Sequence, residues 1–253
     1  MPHRHHYQPL IALLLLNCAL FHKPTELEKG IKFYRQGDFP KAARHFGAYV
    51  DRHPQSDSGL YYLYDCYRKL DRLDYQIPVL ERLVQNRVEN ANVYLNLFEY
   101  YRGQNRCPEL YNLLIAAPAA VKDTFDRRYP LTRRRYAEIA CGAAGQKNPD
   151  NPVIRALTRG YLNVFPDGGA YPDDTVSNGN LIILLDRFVP PLYPKNFFNL
   201  QYVSSHSFLY LPYMRLVDLG ILDFNTGLNP DRSATIAACA AALGRLKTHG
   251  YLH

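Results

Sequence analysis

Apolar side chains return at three- and four-residue intervals along much of the chain. Leu60, Leu63, Tyr64 and Tyr67 do so in LYYLYDCYRKLDRLDYQIPVLERLV (60–84). Tyr94, Leu97, Phe98 and Tyr101 do so in VYLNLFEYYRGQNRCPELYNLLIAA (93–117). A 3.6-residue turn brings positions i, i+3, i+4 and i+7 onto one side, so each stretch predicts an amphipathic helix. In EKGIKFYRQGDFPKAARHFGAYVDRHPQS (28–56), Gly37-Asp38 interrupts the pattern as a turn, and Pro54 follows where a helix cannot be prolonged. A fourth helical stretch, about 131–146, closes the series. The pattern as a whole predicts an all-α fold of helical hairpins.

The hairpins recur. Phe33, Tyr67 and Tyr101 stand at 34-residue steps, and Gly30, Phe33, Gly37, Ala42, Phe46 and Pro54 keep one register in the first copy. A 34-residue helix–turn–helix period is that of a stacking repeat. The first copy resembles a tetratricopeptide repeat (TPR), with small Gly30 and Ala42 where two helices cross. GDFPKAARHFGAYVDRHPQSDSG also resembles the repeats of bacterial envelope-assembly lipoproteins. The resemblance covers residues 19–146 and implies a TPR-like solenoid that holds a protein partner in a groove. Tyr61, Tyr64, Tyr67, Tyr94 and Tyr101 are the candidate groove residues, since a tyrosine offers an apolar ring and a polar tip. Their other reading is packing between helices.

Residues 150–253 contain one pattern twice, at about 153–189 and 202–246. Each copy has a helix ending in Gly with an apolar pair after it, Gly160-Tyr161-Leu162 and Gly220-Ile221-Leu222. A loop follows, YPDD (171–174) or NPDR (229–232), then a second helix with Ser177 or Thr235 in N-cap position. This resembles S-layer homology (SLH) domains, helical modules that usually pack three copies. The resemblance implies binding of cell-wall glycan. In the family a Thr-Arg-Ala-Glu signature opens the second helix, and its Arg helps hold the anionic sugar. Here the Thr falls on Ser177 and Thr235, the Arg on Asn178 and Ile236, and the Glu on Asn180 and Ala238. The caps survive while the charges do not, and isoleucine cannot make the bidentate hydrogen bonds of arginine. Arg187 and Arg232 are the neighbouring candidates for contact with an anionic ligand.

Composition adds the compartment. The chain opens MPHRHHYQPLIALLLLNCAL, a basic head followed by an apolar run too short to span a bilayer, the order of a secretory signal (1–18). Leu15-Leu16-Asn17-Cys18 resembles a lipobox, which implies cleavage before Cys18 and its lipidation. The expected place is the bacterial envelope, periplasm or outer membrane, with membrane contact through the lipid on Cys18. Net charge is +7, compatible with an anionic partner. Arg127, Arg128, Arg133, Arg134 and Arg135 crowd DTFDRRYPLTRRRYAEI (123–139); an exported protein would rarely meet nucleic acid, so they read as a solvated linker and helix face. The five cysteines show no zinc-ligand spacing, and four of them lie in apolar helical patterns and read as small apolar side chains.

No P-loop, G-x-G-x-x-G, G-x-S-x-G or H-E-x-x-H motif is present. FPDGGAYPDD (165–174) lacks the alternating ligands of an EF-hand. No metal and no cofactor is expected. The composite expectation is a non-enzymatic envelope scaffold for protein–protein interaction. The alternatives are an SLH-type glycan anchor and a glycan-processing enzyme with Asp173, Asp174 and Glu138 as its only candidate acids.

Overall fold

A computed structural model describes residues 24–147 and 149–252. The leader and Cys18 lie outside the described residues. Among the described residues there are twelve helices and no strand, so the chain is all-α. Two compact units divide at Asn86 and Arg87.

The first unit holds α1 (Glu26–Arg35), α2 (Phe39–Arg52), α3 (Asp57–Lys69) and α4 (Leu73–Gln85), each packed on the next. Thr25 and Glu28 form a reciprocal capping box at α1, and Asp38 and Ser56 cap α2 and α3. Close approach of the helices depends on two glycines. A Cβ on Gly30 would lie 2.6 Å from the Phe46 ring, and one on Gly59 would lie 2.8 Å from Tyr49. Phe46 stacks on Tyr62 with ring centres 4.9 Å apart.

The 34-residue period is written in the backbone as well as the side chains. Gly37 closes the α1–α2 turn at φ +78°, Asp71 the α3–α4 turn at +51°, and Asn105 the next hairpin's turn at +52°. After each, an amide donates back to the helix it has left: Asp38 to the Phe33 carbonyl at 3.0 Å, Arg72 to Tyr67 at 2.9 Å, Arg106 to Tyr101 at 2.8 Å. This is a helix stop in which a left-handed residue lets orphan carbonyls find donors. Asp and Asn tolerate that conformation better than other non-glycine residues, so the turn persists where the glycine is lost.

The second unit begins with that third hairpin, α5 (Ala91–Gly103) and α6 (Cys107–Ala116), and adds α7 (Ala119–Arg128) and α8 (Arg133–Ala143). Its C-terminal part has α9 (Pro152–Thr158), α10 (Asn178–Asp186), α11 (Tyr210–Asp218) and α12 (Ile236–Thr248). Helix α8 is buried on all sides, packing on α6, α9 and α12. Its Gly142 lies against the α6 backbone, where a Cβ would meet the Cys107 carbonyl oxygen. Helix α12 also packs on α6 and α7, and the Ala237 amide donates to Asp126 at 3.0 Å. Helices from the 91–143 stretch therefore share one core with the C-terminal helices. Cys107, Cys141 and Cys239 are free and buried in this core, as Cys66 is in the first unit.

Gly160 and Gly220 take positive φ, +74° and +68°, at the ends of α9 and α11. Ser177 and Thr235 cap α10 and α12, accepting from Asn180 and Ala238 amides. A third helix starts the same way: Thr132 caps α8 and accepts from Arg135. The residues leading into the three caps pair in series. Val176 donates to the Leu131 carbonyl and Ala234 to the Val176 carbonyl, each at 2.8 Å. One of the arginines expected on a solvated face is displaced by this arrangement. Arg133 is buried, its Nε donating to the Ala170 carbonyl at 2.7 Å and its guanidinium lying 4.5 Å from the Phe165 ring centre. The loop entering α10 folds over it, and the Asn163 carbonyl accepts from its Nη2.

Candidate functional site

In the first unit, α2 brings four small side chains to one face: Pro40, Ala43, Gly47 and Ala48. They floor an open groove of about 500 Å³. Its wall comes from the end of α3 and the start of α4, with Tyr67, Leu70, Arg72 and Tyr75. Asp51 and Arg44 stand on the α2 side.

Gly47 is the informative residue. A mid-helix glycine costs about 1 kcal/mol against alanine unless something requires it. Gly30 and Gly59 are required by close packing, but a Cβ on Gly47 would meet nothing within 4 Å. The missing side chain is part of the groove's volume.

The turn at Asp71 positions the wall. It swings α4 back so that the Tyr75 ring lies 5.2 Å from Tyr67, and the Arg72 guanidinium sits 4.9 Å from the Tyr75 ring centre. Burial raises the Tyr67 hydroxyl above its ordinary pKa, with Tyr75, Cys66 and Asp51 adding to the rise and Arg72 opposing it. Tyr67 is thus a neutral donor and acceptor at physiological pH. The groove offers two aromatic faces, two guanidinium groups and one carboxylate over a small-residue floor. Those groups suit stacking and charge-assisted hydrogen bonds to an extended chain.

Of the tyrosines read from the sequence, Tyr67 lines this groove. Tyr61 and Tyr64 lie half-buried on the same helix. Tyr94 and Tyr101 belong to the second unit and are 0% and 5% exposed on α5, so they pack its core and present no surface to a partner. The buried stripe of α5 is wider than one face and takes in both. Tyr75, Gly47 and Arg72 were not singled out. Tyr75 follows the turn by four residues, and the Asp71 turn itself was the available signal.

Arg187 and Arg232 are both exposed. Arg187 caps the C-terminus of α10, while the Arg232 carbonyl accepts from the Asn178 amide at its N-terminus. Nine residues of helix separate these ends by about 13 Å. At the signature positions, Ile236 is fully buried and Asn178 donates its side chain to the Asn229 carbonyl at 3.0 Å.

The candidate acids differ in their surroundings. Glu138 is buried in an ion pair with Arg102 at 3.3 Å. Asp173 pairs with Arg134, its side chain 84% exposed. Asp174 accepts the Arg133 amide on its backbone carbonyl. Within FPDGGAYPDD, Asp167 is engaged by the Tyr171 hydroxyl and the Gly169 amide. Among the described residues no group of three or more His, Cys, Asp or Glu side chains is gathered for a metal.

No protein-family model matches the chain, and no curated protein matches it.

Proposed function

We propose that this is a non-enzymatic scaffold protein of the bacterial cell envelope, whose TPR-like hairpins hold an extended segment of a partner protein. The groove over Gly47 carries the reading: a helix gives up stability there to keep an open, aromatic-walled channel of about 500 Å³. The leader and Cys18 supply the expected route to the envelope and its membrane. The test fills the groove without disturbing the core. Gly47→Leu adds a side chain into open space, and Tyr67→Ala removes the wall. Proteins that co-purify with the mature chain, and cross-link through a photoreactive residue placed at Tyr75, should be lost from both variants. Unchanged recovery by Gly47→Leu, with helicity and melting intact, defeats the reading.

A second reading is an SLH-like glycan anchor, and the serial pairing of three capped helices favours it. Binding would have to run through Arg187 or Arg232, because the signature charges are absent and Arg133 is committed to the 163–170 loop. Salt-sensitive retention of the full chain on purified sacculi, weakened by Arg232→Ala, supports this reading. Retention that is absent, or indifferent to both arginines, excludes it.

A further inference from the structure

The loop joining α10 to α11 holds its aromatic side chains outward. Tyr193 and Phe208 are each 78% exposed, and Phe197, Tyr202 and Phe198 are about half exposed. Five exposed aromatic side chains in one loop are more than a folded surface ordinarily leaves to water, and exposed apolar groups of this kind mark contacts. Three of the rings pack on neighbours. Phe198 packs on Phe224 at 4.5 Å between centres, and Phe197 lies between Tyr193 and Tyr210 at 6.4 Å from each. The backbone is tied down as well, by Gln201 donating to the Thr226 carbonyl and by the Tyr210 hydroxyl donating to Phe198, both at 2.9 Å. Little ordering is left for binding to bring about.

Charge selects the partner. From Arg187 through Val217 the chain has no Asp or Glu, and Lys195 stands between Tyr193 and Phe197. The bordering acids each have a partner in the fold, Asp223 at an exposed position. Asp186 takes Arg215 through both oxygens, at 2.7 and 2.8 Å. Asp218 accepts the Lys195 and Asn196 amides and the Asn196 side chain. Asp223 pairs with Arg245 at 2.9 Å. What faces outward is a set of protruding rings in a segment whose exposed charges are Lys195 and Arg187. Tyrosine and phenylalanine with a flanking cation suit the headgroup layer of a bilayer, where rings sit at the apolar boundary and the cation meets phosphate.

We propose that this aromatic face of the second unit docks on an anionic lipid bilayer, with Tyr193 and Phe208 entering the headgroup layer. The contact is peripheral, since no helix among the described residues is long and apolar enough to cross a membrane. It requires no lipid on Cys18.

The absence of tryptophan from the chain makes the test direct. In the full-length protein, Phe208→Trp supplies a single reporter at the patch, and Tyr75→Trp supplies one in the groove. With phosphatidylcholine–phosphatidylglycerol vesicles, the Phe208→Trp emission should shift to the blue and be quenched by brominated acyl chains. The Tyr75→Trp emission should be unaffected. Comparison between positions is insensitive to an N-terminal anchor. Tyr193→Ser with Phe208→Ser, both at exposed positions, should lower vesicle partitioning about tenfold, as loss of two interfacial side chains predicts, with melting unchanged. Four results would overturn the proposal: an unquenched patch reporter, equal quenching at both positions, partitioning unchanged in the double variant, or no association of the wild type with these vesicles.

Discussion

Three glycines in the first unit share a helix context and differ in what surrounds them. Gly30 and Gly59 are held against aromatic rings, while Gly47 faces open groove. Alanine should separate them. Gly47→Ala restores helix propensity without a clash and should raise stability by about 0.5–1 kcal/mol in urea unfolding. Gly30→Ala forces Phe46 out of its place and should lower stability by about 1–3 kcal/mol. Glu138 supplies a second single-residue test. Burial raises its carboxyl pKa, and Arg102 and Arg135 oppose the rise without cancelling it. Its folded pKa therefore exceeds the unfolded value, and the native state holds the proton more tightly. The resulting stabilisation is complete below the ordinary carboxylate pKa and is lost as pH rises through the elevated one. Unfolding free energy contributed by this site should fall with rising pH over the weakly acidic range. Glu138→Gln should flatten that dependence; a slope unchanged by the substitution would assign it to other groups. Exposure of Tyr94 and Tyr101 was not legible in the sequence, because periodicity places a residue on a stripe without telling what the stripe meets.

Among the elements, the turns carry the repeat more faithfully than the helices do. Side-chain likeness fades after the first hairpin, yet Gly37, Asp71 and Asn105 keep the left-handed conformation at constant spacing. A non-glycine residue there costs about 1–2 kcal/mol relative to glycine, less for Asp and Asn. Asn105→Gly should therefore be neutral or stabilising by up to about 1 kcal/mol, whereas Asn105→Val should destabilise by at least as much, both read by thermal unfolding. The caps of α10 and α12 were visible as Ser177 and Thr235, because a hydroxyl before an apolar run has few other uses. The matching cap at Thr132 was hidden among arginines. The cap geometry and the pairing of residues 131, 176 and 234 show that α8 begins as α10 and α12 do.

For the whole molecule, the compact boundary at 86/87 lies within the helical-hairpin series. Residues 150–253 match a repeated sequence pattern, but α12 leans on α6, α7 and α8, through the Asp126 bond to Ala237 and the Lys247 ammonium 5.7 Å from the Tyr111 ring centre. A fragment of residues 150–253 should lack a cooperative thermal transition, while residues 87–253 should melt as one unit by circular dichroism. A cooperative transition in the shorter fragment would show that α8 is dispensable. Helix content, the 34-residue period, the helix stops and two of the caps follow from local rules, since each depends on residues within one or two turns of one another. The groove over Gly47, the burial of Arg133 and the outward aromatic face at 190–208 do not. A small residue reads alike whether it admits a neighbouring helix or a ligand, a cationic run reads alike on a surface or under a loop, and an aromatic loop reads alike in a core or on a face. Those differences depend on which distant elements arrive opposite, and that is settled only when the helices pack.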